Sequence, residues 1–161
     1  MKRQKKSQEV EELIHQNLVE NYEKYYRLAY SYVHNEADAQ DIVQEAAYKA
    51  IFKSNTLKSP EYAGTWIYRI IVNEALGFLR KNSRVQPEAE PETGNHTDTY
   101  RDFDLEEAIE ELEPLEKTIV MLRFFEDFKL EQIALVTNEN VSTVKSRLYR
   151  ALKKLRIALA E

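Results

Sequence analysis

The chain has 161 residues, 23 basic and 28 acidic side chains, no Cys, 3 Gly and 4 Pro. That length fits one domain or two small ones, and the lack of Cys excludes a disulfide scaffold, thiolate metal ligands and Cys nucleophiles and fits a reducing, cytoplasmic setting. A hydrophobic fraction of 43% is enough for a core, few Gly and Pro favour helices over a turn-rich β fold, no apolar run approaches the roughly 20 residues that cross a bilayer, and the basic start is not followed by the apolar stretch of a secretory signal.

Apolar and aromatic residues recur at helical spacing over residues 10–33, which predicts one long helix carrying Leu13, Ile14, Leu18, Tyr22, Tyr25, Tyr26, Leu28, Ala29, Tyr32 and Val33. Asn35 is a stop, and Glu36 and Asp38 place negative charge at the start of the next helix. That helix reaches about Phe52 with Ala39, Ile42, Val43, Ala46, Ala47, Ala50 and Ile51 inward. Residues 53–62 read as a loop containing Pro60, and residues 63–82 as a third helix carrying Trp66, Ile67, Ile70, Ile71, Ala75, Phe78 and Leu79. Gly77 within it costs about 1 kcal/mol relative to Ala.

Residues 84–103 change character: Pro87, Pro91 and Gly94 accompany five acidic residues without an apolar period. They are expected to form a flexible linker spanning about 25 Å. Helical patterning returns at residues 105–112, then from Pro114, whose position suits a first helical turn, with Leu115, Ile119, Val120, Leu122, Phe124 and Phe125. A short helix over residues 130–136, a turn over 137–140 and a final helix from about Ser142 follow.

The net charge of −5 hides a sharp separation of sign. Residues 104–139 hold 3 basic and 11 acidic groups, whereas residues 141–157 hold 6 basic and none acidic. Residues 130–157 have the layout of a helix-turn-helix, whose second helix enters a DNA major groove. Asn138 or Asn140 can supply the left-handed backbone of the turn. On the last helix Val144, Leu148, Ala151, Leu152, Leu155 and Leu159 make one apolar face, and Lys145, Ser146, Tyr149, Arg150, Lys153 and Lys154 lie largely off it. Arg and Lys read guanine edges, while hydroxyls and backbone N–H groups hold phosphates.

A second group interleaves basic and aromatic residues: Lys53, Lys58, Tyr62, Trp66, Tyr68, Arg69, Asn73, Phe78, Arg80, Lys81 and Arg84. Rings for stacking and cations for phosphate suit unpaired bases. Trp66 and Phe78, at helical spacing, are expected in the core instead.

The two halves together resemble a known family. Residues 38–45 (DAQDIVQE), 65–73 (TWIYRIIVN) and 79–81 (LRK) are similar to domain 2 of bacterial sigma-70 family initiation factors. Residues 130–134 (LEQIA) and 142–151 (STVKSRLYRA) are similar to their domain 4. Only these two domains are present, as in the extracytoplasmic-function (ECF) group. The resemblance implies an all-α fold of two small helical domains: a three- to four-helix bundle over residues 1–83 and a helix-turn-helix domain over 104–161, joined by the linker.

The resemblance also implies roles. Asp38, Asp41, Gln44 and Glu45 match the helix that docks on RNA polymerase core enzyme. Asp41 and Glu45, one turn apart, repel each other and favour an external basic partner. Lys53, Lys58 and Tyr62 lie in the stretch that matches the loop capturing a flipped base of the minus-ten element. Asn73 matches a base contact, with Arg69, Arg80 and Lys81 near the backbone. Lys145, Ser146, Tyr149 and Arg150 match the positions reading the minus-thirty-five element, and Thr143 and Arg147 match phosphate or positioning contacts. Asn138 and Ser142 stand where many relatives carry Gly, and residues 53–62 have their own sequence, which leaves promoter choice open. The implied partners are RNA polymerase core, promoter DNA and an anti-sigma factor, which, if membrane-anchored, would explain how a chain without a membrane segment answers an envelope signal. No cofactor or metal is expected. An enzyme is not expected either: there is no Gly-rich phosphate loop, and His15, His34 and His96 are dispersed. The rival reading is a free-standing helix-turn-helix regulator of duplex DNA, which would normally dimerise; no dimer seam is evident.

Overall fold

In a computed structural model, residues 2–85 and 105–160 are described, and every regular element among them is helical. The expected first helix is two: α1 (Lys2–Glu20) and α2 (Tyr22–Val33). The break falls at Asn21, whose side-chain amide donates to the Asn17 carbonyl at 3.0 Å and to Asn17 Oδ1 at 3.3 Å. Asn side chains compete with the backbone for such partners and so interrupt helices that apolar periodicity alone would continue. The Tyr25 hydroxyl also donates to Asn17 Oδ1, which fixes the corner.

α2 ends at His34, a left-handed residue (φ 52°) whose N–H donates to the Tyr30 carbonyl. Asn35 then caps α3 (Glu36–Phe52) by accepting from the Asp38 N–H at 2.9 Å. Residues 53–62 contain two 3₁₀ turns, Ser54–Thr56 and Pro60–Tyr62, before α4 (Ala63–Val85). Arg84 and Val85 thus belong to a helix rather than the linker, and residues 86–104, with His96, lie outside the described residues.

Helices α2, α3 and α4 pack mutually into a three-helix bundle. Its centre is Tyr25, Leu28, Ile67, Ile71 and Val72, all nearly inaccessible. The face that α3 contributes is rich in alanine (Ala39, Ala46, Ala50), which lets its neighbours approach closely. α1 adds Ile14 and Leu18 to the same core. Trp66 and Phe78 are half-buried against it, as expected of core-side rings.

The second module comprises α5 (Leu105–Glu110), α6 (Pro114–Val120), a π-helical turn (Met121–Phe125), α7 (Leu130–Thr137) and α8 (Val141–Ala160). Pro114 opens α6 as predicted, and the Glu113 N–H donates to Glu116 Oε1 at 3.2 Å. Ile119 and Leu122 are buried, Leu115 is half-buried, and Phe124 and Phe125, at the end of the π turn, face solvent.

The two modules are docked. α7 packs on α4 and α6 on α2. The Tyr32 and Thr118 hydroxyls hydrogen-bond across the seam, and the Lys117 ammonium, 3% exposed, donates to the Ser31 carbonyl at 3.0 Å. His34 Nε2 and Glu110 Oε2 lie 3.4 and 3.5 Å from the same ammonium. Lys24 pairs with Glu126 at 3.1 Å, and the Tyr68 and Phe128 rings meet edge-on at 5.4 Å.

Candidate nucleic-acid interface

The helix-turn-helix is built by two asparagines with different tasks. Asn138 closes α7 in the left-handed region (φ 56°, ψ 42°) with its N–H on the Ala134 carbonyl. Asn140 caps α8: its Oδ1 accepts from the Thr143 N–H at 2.8 Å. Val144, Leu148, Ala151 and Leu155 are buried, which turns Lys145, Ser146, Tyr149, Arg150 and Lys153 to solvent. Two cations of the stretch are committed elsewhere. Arg147 donates to Glu139 Oε2 at 2.9 Å, bracing the turn, and Lys154 reaches the fully buried Glu116 at 2.8 Å. Thr143 is half-buried beside the cap. Exposed cations therefore remain along α8 at Lys145 and Arg150, with Ser146 and Tyr149 between them, and at Lys153 and Arg156 further on.

On the first module, Lys53, Lys58 and Tyr62 are exposed around the two 3₁₀ turns. The Lys53 carbonyl accepts from the Thr56 hydroxyl at 2.7 Å, and Ser54 is buried, so this connection has a defined shape. Asn73, Arg80 and Lys81 are exposed on α4. Arg69 is half-buried, and its guanidinium donates to Asn138 Oδ1 at 3.3 Å. Asn73, Leu76, Leu79 and Arg80 line one side of a cleft whose other side is Thr137 and Asn138. The α4 face and the helix-turn-helix thus meet in one place, a juxtaposition that the separate motifs did not foretell.

The solvent face of α3 carries Asp41, Gln44 and Glu45, all exposed, with Asp38 half-buried at the cap. Lys49, on the flank, bonds to Glu74 of α4, and that contact raises its pKa. Phosphate would be repelled here, and a cationic protein surface attracted. Among the described residues no group of three or more His, Asp or Glu is arranged to hold a metal ion, and no helix is long and apolar enough to cross a membrane.

The sigma-70 region 2 family model matches residues 18–85, and the sigma-70 region 4 model matches residues 102–155. The chain is 46% identical to RNA polymerase sigma factor SigV of Bacillus subtilis, over 98% of this chain and 97% of that one. It belongs to the sigma-70 family of RNA polymerase sigma factors. Within that family it stands with the ECF group: it is 32% identical to the ECF RNA polymerase sigma-E factor of Haemophilus influenzae over 71% of this chain and 70% of that one. Among solved structures its fold is similar to the sigma factor RpoE of Bartonella quintana, solved with the anti-sigma factor NepR, with a TM-score of 0.72, 23% identity and coverage of 90% of this chain and 95% of that one. CnrH, solved with the cytosolic domain of CnrY, gives a TM-score of 0.63 at 18% identity, covering 91% of this chain and 87% of that one. As an RNA polymerase sigma factor, the protein directs promoter-specific transcription.

Three features of the sigma factor escaped sequence reasoning. The Tyr32–Thr118 and Lys117–Ser31 contacts join residues 86 positions apart, beyond the reach of local periodicity. Arg69, assigned to DNA backbone, is engaged with Asn138 in this arrangement. Tyr48 and Phe52 continue the α3 face in the open, and the signal that could have found them is their place four residues apart and outside the inward set of Ala39, Ile42, Val43, Ala46 and Ala50.

Proposed function

We propose that the sigma factor works through three surfaces of the two modules. Asp41, Gln44 and Glu45 of α3, with Asp38 beside them, receive a cationic face of RNA polymerase core. The turns over residues 53–62, with Lys53, Lys58 and Tyr62, hold the unpaired minus-ten strand together with Asn73, Arg69, Arg80 and Lys81 of α4. Lys145, Ser146, Tyr149 and Arg150 read the minus-thirty-five element, and Thr143 and Arg147 set the pose of α8. The observation that carries this reading is the stripe of free donors on α8, set just behind a turn braced by Arg147 and Glu139. One recognition helix on a chain of net charge −5 binds duplex weakly alone, so polymerase supplies the remaining affinity.

The docked arrangement is the resting form in this reading. Arg69 and Asn73 face the helix-turn-helix across the cleft, and promoter engagement requires the modules to part. An anti-sigma protein that holds both modules together would keep the factor inactive in the cytoplasm. A free-standing regulator is the weaker reading, because residues 18–85 match sigma-70 region 2.

Run-off transcription with purified core polymerase over a promoter pool tests the assignment. Arg150→Ala is expected to lose about 1–3 kcal/mol and to relax discrimination at one base pair of the upstream element. Asn73→Ala is expected to lower permanganate reactivity of thymines in the melted region while core binding persists. A uniform loss for Arg150→Ala would make that residue a phosphate contact. Tight duplex binding without polymerase would favour the regulator.

A further inference from the structure

The solvent stripe of α3 does not end at Glu45. Positions 41, 45, 48 and 52 advance by one helical turn each and fall within a narrow sector of the helix surface. Tyr48 is 64% exposed and Phe52 73% exposed, and their rings stack at 6.1 Å with only 11° between the planes. The other large apolar side chains of α3, Ile42 and Val43, are buried, and Ile51 is half-buried. Helix α3 packs against α1, α2 and α4, whereas α5–α8 dock on α2 and α4, so the aromatic pair stays open in the docked state.

We propose that Tyr48 and Phe52 form an apolar anchor that lengthens the polymerase-docking face of α3. The inference rests on the reading of Asp41 and Glu45 as that face. The continuity is geometric, because the pair begins one turn beyond Glu45 on the same stripe. The charge argues for protein over nucleic acid: the stripe is acidic, and Lys49 at its flank is held by Glu74. Aromatic side chains beside charged ones are the usual anchors of protein interfaces, where the ring supplies affinity and the charge supplies steering. The receiving surface of polymerase must therefore offer cations opposite Asp41 and Glu45 and an apolar recess one to two helical turns further on.

The test compares full-length wild type, Tyr48→Ala/Phe52→Ala, Tyr48→Phe/Phe52→Leu and Asp41→Asn/Glu45→Gln for binding to purified core polymerase across a salt series. Thermal melting by circular dichroism checks that each variant folds. The alanine pair is expected to lose about tenfold or more in affinity at every salt concentration, and the apolar-conserving pair to keep most of it. The amide pair is expected to lose affinity chiefly at low salt, since screening removes the contribution of exposed charges. If the alanine pair binds like wild type while the amide pair is weakened, the anchor is refuted and the docking face stands. If neither pair matters, the docking face itself is wrong and the anchor falls with it. Normal core binding with impaired capture of single-stranded minus-ten oligonucleotide by the holoenzyme would assign the rings to DNA and overturn the proposal. So would a wild-type dimer in sedimentation that the alanine pair dissolves while core binding is unchanged.

Discussion

The bundle of α2, α3 and α4 and the module of α5–α8 are both small helical cores, yet they bury different chemistry. The first fills its centre with Leu28, Ile67, Ile71 and Val72, and the tyrosine among them, Tyr25, points its hydroxyl at Asn17. The second buries Glu116, Lys117 and Thr118 in consecutive positions of α6. Those three side chains answer different neighbours: Glu116 meets Lys154 of α8, Lys117 meets the Ser31 carbonyl, and Thr118 meets Tyr32. Apolar contact is non-directional and tolerates small shifts, whereas a buried polar group needs its partner in place. The first module is therefore held together by its own interior. The second is oriented on the first by the directional contacts of Lys117 and Thr118 in addition to the packing of α7 on α4.

The largest effect should come from the first interior. Ile71→Ala removes a fully buried side chain and is expected to cost about 2–5 kcal/mol, read as a lower urea midpoint. If the loss stayed under about 1 kcal/mol, the claim that this core stands by packing would fail.

Alkali addresses the seam. Burial, opposed in part by the Thr118 hydrogen bond, pushes Tyr32 up to about 12. A raised tyrosine favours the neutral docked form. Its contribution, shared between the seam and the packing of α2 in its own bundle, is complete below the ordinary value near 10 and is lost as pH climbs from there through 12, in total about 2–3 kcal/mol. A donor–acceptor pair of dyes on the two modules should report separation over that window. Burial also raises Tyr25 and Tyr68, with Glu126 adding to each, so Tyr32→Phe should reduce the alkaline transition without abolishing it. An unchanged profile in the variant would mean that Tyr32 does not govern docking.

Lys117→Met sharpens the contrast at smaller scale. It keeps the bulk of the side chain but leaves the Ser31 carbonyl without this donor, for an expected loss of about 1–3 kcal/mol in docking. Scattering should show a more extended particle, and the melting of the first module should stay within error. Loss of both together would show one cooperative unit instead of two modules.

Much of this was legible in the sequence, because helices announce themselves through repeat spacing. The end of α3 at Phe52, the Pro114 start of α6 and the burial of Val144, Leu148 and Ala151 all follow from local pattern. The corner at Asn21 did not, since one side-chain amide decided it against a continuous apolar stripe. Asn138 and Asn140 were both readable as turn residues, but only geometry separates the left-handed residue from the cap. The candidate site was legible as three separate surfaces. The Arg69–Asn138 contact was not, because it depends on how two independently patterned modules meet.

The docked helix-turn-helix sits against the flank of α4 that carries Arg69 and Asn73, whereas Asp41, Glu45, Tyr48 and Phe52 of α3 stay exposed. Closure thus taxes the two ligands unequally. A ligand that needs a minor conformer sees its affinity divided by that conformer's population. With the open form at about 1%, a promoter strand that needs the modules parted would be bound about a hundredfold more weakly, whereas a polymerase that docks on α3 as proposed would meet its face on every molecule. Capture by polymerase should then be first order in sigma factor at all concentrations, and the wait for opening should surface only afterwards, as a unimolecular lag before DNA is engaged.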